Sequence, residues 1–173
     1  MYIKIAGALF LMGSAAAIGF IKADELKERV KILQEFHRMI LLLQGEFRFH
    51  RASLSEAFEN VAGRVGDPFS SFLRETAARL ESREQGGFEK VWKETTEELL
   101  ENDGFHREDQ EILNILKSSL GYLDLTMQTE TLNLAMIQTE EALKRAREQQ
   151  ESKGKLYRTM GVTAGALLAL LMI

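Results

Sequence analysis

The sequence predicts an all-α protein, a helical bundle of about six helices whose first and last helices extend into hydrophobic membrane segments. Both ends are apolar and uncharged: Ile5–Ile21 holds 17 residues and Met160–Ile173 holds 14. Between them, apolar residues recur at alternating steps of three and four, the spacing that aligns side chains along one face of a helix. The single proline and the 28% of charged residues also suit helix throughout.

The N-terminal apolar run is long enough to cross a bilayer. Counted from Met1 it has 21 residues, about 31 Å at helical rise, which matches one hydrocarbon core. We therefore predict an N-terminal transmembrane segment at residues 1–21. A secretory signal peptide is the alternative, because Lys4 precedes the run and Ala15–Ala17 offers small residues for cleavage. The apolar character continues past those alanines to Ile21, which favours the span.

The C-terminal run, residues 160–173, is about 21 Å long as a helix and therefore short for a membrane span. Leu156–Tyr157 extends it if Arg158 reaches toward the lipid headgroups. We predict a C-terminal hydrophobic membrane segment here, and a buried core helix is the alternative. Gly161 and Gly165 have the small-x-x-x-small spacing that lets two helices pack closely.

Basic residues flank the inner side of both apolar runs. Lysine and arginine near a span tend to stay in the cytoplasm. Seven of them lie beside the two runs: Lys22, Lys27, Arg29, Lys31, Lys153, Lys155 and Arg158. The middle of the chain is therefore predicted to be cytoplasmic, with both termini across the membrane or embedded in it.

Composition limits the classes of function. Residues 22–159 are numerous enough for one domain with a real core. The absence of cysteine excludes disulfides and thiolate metal sites. The net charge of −4 leaves no strongly basic face for nucleic acid, so no nucleic-acid partner is expected.

The first amphipathic helix is predicted from Asp24 to about His50, continuing the N-terminal span. Its inner stripe consists of Leu26, Val30, Leu33, Phe36, Ile40, Leu43 and Phe47. The stretch Met39–Leu43 is apolar on all sides, so we expect other helices to surround it.

Caps and breakers divide the central region into short helices. Ser53 and Glu56 form a capping box at the start of one helix. Asp67 is predicted as the next N-cap, with Pro68 at the first helical position. Gly86–Gly87 ends that helix, and further helices follow at Phe88–Leu99 and Arg107–Leu120. Their inner positions are Phe69, Phe72, Leu73, Thr76, Leu80, Phe88, Val91, Trp92, Thr95, Leu99, Ile112, Leu113, Ile115 and Leu116.

The last helix is predicted to begin near Asp124 and to run to the C-terminal anchor. Nine consecutive residues, Arg147–Lys155, include no large apolar side chain and cannot form core. A helix that is polar all round usually bridges solvent between packed parts. We therefore assign residues 22–146 to the cytoplasmic bundle and residues 147–159 to a polar helical stalk.

No motif in the chain points to catalysis, a cofactor or a metal. The three histidines, His37, His50 and His106, lie outside every zinc or di-metal pattern. Glu46 and His50 share a helical face, but such pairs are common in a charged helix. The carboxylate pairs Glu97–Glu98 and Glu140–Glu141 are interpreted as solvated faces. Phosphate-binding and nucleophile-elbow motifs are also absent, so we predict that the chain is not an enzyme.

The order of these pieces resembles the stage III sporulation protein AB family, whose soluble part is similar to the F domain of type II secretion platforms. Four elements carry the resemblance: Gly7–Phe20 followed by the polar Lys22–Glu28, Leu54–Phe58, Leu120–Gly121 with Asp124, and Lys155–Arg158 leading into Gly161–Ile173. It covers nearly the whole chain, and the loop Glu84–Gly87 departs from the pattern.

The resemblance implies a platform protein in the mother-cell membrane that faces the forespore. Its partners would be the lipid bilayer, a secretion-type ATPase of the same operon and other stage III sporulation channel proteins. The family has no catalytic residues. ATPase contacts are expected on the charged outer faces of Arg74–Arg83 or Lys90–Glu101, and a homo-oligomer is left open. The rival interpretations are a membrane-bound enzyme or metal protein and an exported structural protein.

Overall fold

The computed structural model describes residues 2–50, 53–82, 87–120 and 125–172. Within these ranges the chain is all-helical, with six α-helices, one short π-helix and no strand. The α-helices are α1 Tyr2–Gly45, α2 Leu54–Ala62, α3 Phe69–Glu81, α4 Gly87–Leu100, α5 Arg107–Leu120 and α6 Leu125–Met172, and the π-helix is Glu46–His50. The predicted all-α fold with about six helices is confirmed.

The chain divides into two compact units. The end unit combines Met1–Val30 with Lys144–Ile173, and the central unit is Lys31–Leu143. Both long helices, α1 and α6, contribute residues to each unit. The predicted boundaries at residues 22, 147 and 160 fall inside continuous helix, and the polar stretch Arg147–Lys155 is helical along its whole length.

In the end unit, α1 and α6 cross at two glycines. A methyl group on Gly19 would lie 2.5 Å from the Tyr157 carbonyl oxygen and 3.1 Å from the Gly161 Cα. A methyl group on Gly161 would lie 2.9 Å from the Ala15 carbonyl oxygen. The nearest atoms on both sides belong to backbone, so the two helices approach as closely as only glycine allows.

The described residues of the two apolar runs, 5–21 and 160–172, lie within α1 and α6 and are helical. In the part of the chain that the structure describes, no helix combines the length and the apolar content that a membrane crossing needs. The assignment of residues 1–21 and 160–173 to the membrane therefore stays a prediction.

The core of the central unit is aromatic. The Phe36 and Phe69 rings stack with centroids 5.1 Å apart, which joins α1 to α3. Trp92 on α4 is 1% exposed; its ring packs edge-on against Phe72 at 5.2 Å and at a tilt of 38° against Phe58 at 5.9 Å. Its indole Nε1–H donates to the Leu113 carbonyl oxygen at 3.1 Å. One side chain thus links four helices, since Phe58, Phe72 and Leu113 belong to α2, α3 and α5.

Most predicted inner positions are buried, with exceptions at the edges of the stripes. The predicted inner residues of α1 and of the π-helix that follows it are buried, namely Val30, Leu33, Phe36, Ile40, Leu43 and Phe47. The half-buried predicted positions are Leu26, Leu80, Phe88 and Ile115. The expectation that helices surround Met39–Leu43 on every side is wrong, because the Leu41 side chain is 49% exposed. An all-apolar helical turn therefore presents one leucine to the outside.

Two helix starts test the cap predictions. Ser53 is the N-cap of α2, and its hydroxyl accepts from the Glu56 amide. The Asp67 prediction is off by one residue: Pro68 occupies the N-cap of α3, and the Asp67–Pro68 peptide is cis. The Asp67 carboxylate still accepts from the Ser71 amide at 3.2 Å, so it satisfies a free amide of the first turn from one position further out.

Two predicted helix boundaries, at Gly121 and Asp124, lie outside the described residues. The predicted helix end at Gly86–Gly87 is too late, because α3 ends at Glu81 with Ser82 as its C-cap and Gly87 begins α4. The end of the first amphipathic helix differs from the prediction, because regular α-helix stops at Gly45 and a π-helix continues to His50. π-helical turns leave no mark on a simple three-to-four periodicity, which explains why the sequence did not predict this one.

Candidate docking surface

Helices α3 and α4 pack side by side in the central unit. The Thr76 hydroxyl donates to the Phe72 carbonyl and lies 3.0 Å from the Thr95 hydroxyl, and both threonines are buried. This contact brings together the two segments predicted to bind the ATPase, Arg74–Arg83 and Lys90–Glu101, although Arg83 lies outside the described residues. The two alternatives therefore form one continuous face.

Arg79 ties the outer edges of α3 and α4 together. Its Nε donates to Glu75 Oε1 at 2.6 Å, and its Nη2 donates to Glu98 Oε1 at 2.8 Å. Nη1 also lies 3.8 Å from a Glu94 carboxylate oxygen. The hydrogen bond to Glu75, and to a smaller extent the bond to Glu98, raises the pKa of Arg79 above its ordinary value. The guanidinium therefore holds three carboxylates in fixed positions on this surface.

Beside Arg79, a cleft of about 430 Å³ opens between the start of α3 and the end of α4. Its lining residues are Asp67, Pro68, Ser71, Phe72, Glu75, Thr95, Glu98, Leu99 and Asn102. Phe72 and Leu99 are buried and apolar, whereas the three acids are exposed. No lysine or arginine is among the lining residues, so the cleft is acidic over an apolar base.

An acidic cleft with an apolar base suits a lysine or arginine side chain from a partner. Such side chains place an apolar stem against apolar surface and keep the charged head near carboxylates. The polar groups in the cleft already have structural partners: Asp67 accepts from the Ser71 hydroxyl at 2.7 Å, and Glu75 and Glu98 accept from Arg79. Neighbouring side chains of the protein therefore hold the carboxylates of the cleft in position.

The residues considered for metal or acid–base roles are scattered. Glu46 is 5% exposed, and its carboxylate accepts from Asn60 and Arg64 at 3.4 Å each. The side chain of His50, its predicted companion, lies outside the described residues. His37 has a buried Nδ1 with no hydrogen-bond partner among the described atoms, and His106 is exposed.

The carboxylate pairs also lie apart from any cluster of ligands. Glu98 accepts from Arg79, while Glu97, Glu140 and Glu141 are exposed. Within residues 2–50, 53–82, 87–120 and 125–172, no group of three or more histidines and carboxylates could hold a metal ion.

The sequence analysis missed two side chains that make structurally important contacts, Glu98 and Asp109. The i,i+4 spacing of Glu75 and Arg79 was visible in the sequence, but nothing there pointed to Glu98, nineteen residues from Arg79. Asp109 is fully buried, and its carboxylate accepts from the His106 amide at 2.8 Å, as the third residue of a helix does in a capping box. The His106–Asp109 pair lacks the serine or threonine that usually marks a capping box in a sequence.

Comparison with known proteins agrees with this helical architecture. A curated relative, stage III sporulation protein AB of Bacillus subtilis (strain 168), is 22% identical over 171 residues, which is 99% of each chain. A solved structure of a stage III sporulation protein AB superposes with a TM-score of 0.66 at 18% identity, covering 72% of this chain and 98% of that one. The model of the stage III sporulation protein AB family matches residues 4–173. The chain therefore belongs to the stage III sporulation protein AB family.

Proposed function

We propose that this sporulation protein is a platform held at the mother-cell membrane, where it docks a secretion-type ATPase to a channel between mother cell and forespore. Two features support the proposal: the apolar surface of the end unit and the acidic cleft of the central unit. The platform would act mechanically, by holding motor and channel subunits together. Its relatives are named stage III sporulation protein AB, and that name states no enzymatic activity.

The observation that carries the membrane part of the proposal is the outward display of large apolar side chains. In the described part of the end unit, nine such side chains are about half exposed or more: Phe10, Ile18, Phe20, Ile21, Leu156, Met160, Val162, Leu167 and Leu170. They lie on both helices around the glycine crossing. Exposing apolar surface of this extent to water costs free energy, and that cost is removed when lipid covers the surface.

Membrane attachment is expected to depend on these side chains. Full-length protein should stay with the membrane pellet after alkaline extraction and be released by detergent. Replacing Phe10 and Leu167 with aspartate should move much of the protein to the aqueous fraction, because each charge costs about 3 kcal/mol at the centre of a bilayer. The fraction in each phase, measured by immunoblot, checks this.

A matched control is the pair Leu41→Asp and Ile137→Asp, which places two charges on the central unit. Leu41 and Ile137 are also large apolar side chains that are about half exposed, at 49% and 53%. The control should remain in the pellet. Wild-type protein that is found wholly in the aqueous fraction, unprocessed and without detergent, would contradict the membrane proposal.

The α3–α4 face supports the motor-docking part of the proposal. Its cleft presents three exposed acids beside two buried apolar side chains, and Arg79 fixes two of those acids. Fixed charges on a rigid surface increase the rate and the specificity of association with an oppositely charged partner. We therefore expect the ATPase to contribute lysine or arginine side chains to this face.

Reversing acids on this face is expected to weaken capture of the ATPase. The variant Glu97→Lys with Glu101→Lys changes two exposed acids, one near the end of α4 and one directly after it, and leaves the Arg79 contacts intact. Its affinity for the purified ATPase should fall about tenfold or more, and more strongly at low salt. Pull-down and surface-binding measurements with the full-length chain would measure the change.

The control carries the same change of charge on another helix, Glu108→Lys with Glu111→Lys on α5, where both residues are exposed. It should bind the ATPase as wild type does. Equal capture by the two variants would argue against this docking face and would leave the membrane proposal untouched.

A further inference from the structure

Three aliphatic side chains on the central unit are about half exposed. Leu41 on α1 is 49% exposed, and Leu134 and Ile137 on α6 are 47% and 53% exposed. Among the described residues of the central unit, these are its exposed large hydrophobic side chains. The three together are called the aliphatic patch below.

The members of the aliphatic patch are neighbours. The Gln44 side-chain amide donates to the Asn133 side-chain oxygen, which places α1 beside α6 at this level. Leu41 lies one helical turn before Gln44 on the same side of α1. Leu134 adjoins Asn133, and Ile137 follows Asn133 by one turn. The patch is therefore continuous across two helices, and clustered apolar surface of this kind marks a contact site.

The charges that flank the patch have opposite sign on the two helices. The exposed side of α1 and the π-helix carries Lys31, Arg38 and Arg48. The exposed side of α6 carries Glu130, Glu140 and Glu141, and residues 125–143 contain no lysine or arginine. Arg38 also lies 3.7 Å from a carboxylate oxygen of Glu35, which is less exposed. The exposed charges are thus basic on one half of the face and acidic on the other.

We propose that this face binds a second copy of the chain, with α1 of one protomer against α6 of the other. In a two-fold dimer, a contact between element i of one copy and element j of the other is repeated with the copies exchanged, so each contact occurs twice. With the axis running between the helices, the basic half of each copy meets the acidic half of the other, and the aliphatic patches meet at the centre. The face is therefore complementary to itself.

Other occupants fit the face less well. A partner of uniform charge would place like charges against one of the two helices, which costs association energy. Lipid would have to remove Glu130, Glu140 and Glu141 from water without a compensating charge. The self-association surface is also separate from the α3–α4 cleft, since the lining residues of the cleft lie between 67 and 102.

A charge-swap experiment tests the proposed dimer on the full-length chain in mild detergent. Wild type should show the dimer mass by sedimentation equilibrium. Arg38→Glu alone and Glu140→Lys alone should each weaken self-association about tenfold or more, since each variant places like charges together twice. An equimolar mixture of the two variants should form a heterodimer, because both charge contacts are then restored.

The control is Lys93→Glu on α4, which makes the same change of charge at a side chain that is 68% exposed. It should dimerise as wild type does. Circular dichroism establishes that each variant is folded. A monomeric wild type, or a mixture that stays monomeric while its components are folded, would overturn the proposal.

Crosslinking gives an independent readout, because the chain has no cysteine of its own. Copies carrying Leu41→Cys and copies carrying Ile137→Cys, with different tags, should form a mixed disulfide when combined. Copies carrying Lys93→Cys and Arg107→Cys, both exposed positions on other helices, should not. Equal yields from both pairs would overturn the proposal, as would protection of the patch by vesicles alone in a protein that remains monomeric.

Discussion

Replacing Trp92 with alanine is expected to lower the free energy of unfolding by about 3–5 kcal/mol. The indole is 1% exposed and contacts rings on α2, α3 and its own helix, so its removal leaves a cavity at the centre of the unit. The hydrogen bond from Nε1 to the Leu113 carbonyl is lost as well. Denaturant unfolding followed by far-UV circular dichroism measures the change, because Trp92 is the single tryptophan and cannot itself be the probe.

Trp92→Phe serves as the control for this prediction. Phenylalanine keeps an aromatic ring against Phe58 and Phe72 and loses the N–H donor together with part of the volume. The expected loss is about 1–2 kcal/mol. If the alanine variant is no less stable than the phenylalanine variant, Trp92 does not hold the helices of the central unit together.

Replacing Gly19 with leucine is expected to separate α1 from α6 in the end unit. Even a methyl group would lie 2.5 Å from the Tyr157 carbonyl oxygen, and backbone atoms cannot rotate away as a side chain does. Overpacking a tight contact by one or two carbon atoms costs about 1–3 kcal/mol, and a leucine exceeds that volume. Hydrogen exchange of peptides around residues 13–23 and 157–165 should become much faster.

Gly13→Leu is the matched control, because Gly13 lies on the same helix and a methyl group there would have no described atom within 4 Å beyond its own stretch of helix. It introduces an equally large side chain and a similar gain in helix propensity, so exchange in the end unit should stay as slow as in wild type. Counts of heat-resistant spores should fall with Gly19→Leu and stay normal with Gly13→Leu. Similar exchange rates in both variants would show that the glycine crossing does not hold the two helices together.

Periodicity predicted the helices of the central unit and most of their buried faces. Positions such as Leu33, Phe72 and Leu113 follow from the three-to-four spacing, because a helix has to bury one stripe. The Ser53 cap also followed from local sequence alone. The same logic failed at Leu41, since an all-apolar turn does not reveal which of its sides another helix will cover.

The candidate surfaces depended on contacts between distant segments. Local spacing predicted that Arg74–Arg83 and Lys90–Glu101 carry charge, but it could not predict that they form one face with a cleft between them. Arg79 and Glu98 meet because α3 packs against α4, with Thr76 in contact with Thr95. Likewise, Gln44 and Asn133 lie eighty-nine residues apart in the chain and meet only in the folded unit.

The sequence by itself determined the helical class, the apolar ends, the caps at Ser53 and near Asp67, and membership of a sporulation family. These properties are local or compositional, so they can be read from spacing and residue type. Only the tertiary structure decided that Gly19 meets Gly161, that Arg79 joins two helices and that three aliphatic side chains remain uncovered. Each of these depends on which helices become neighbours, and that choice is made by the packing of the whole chain.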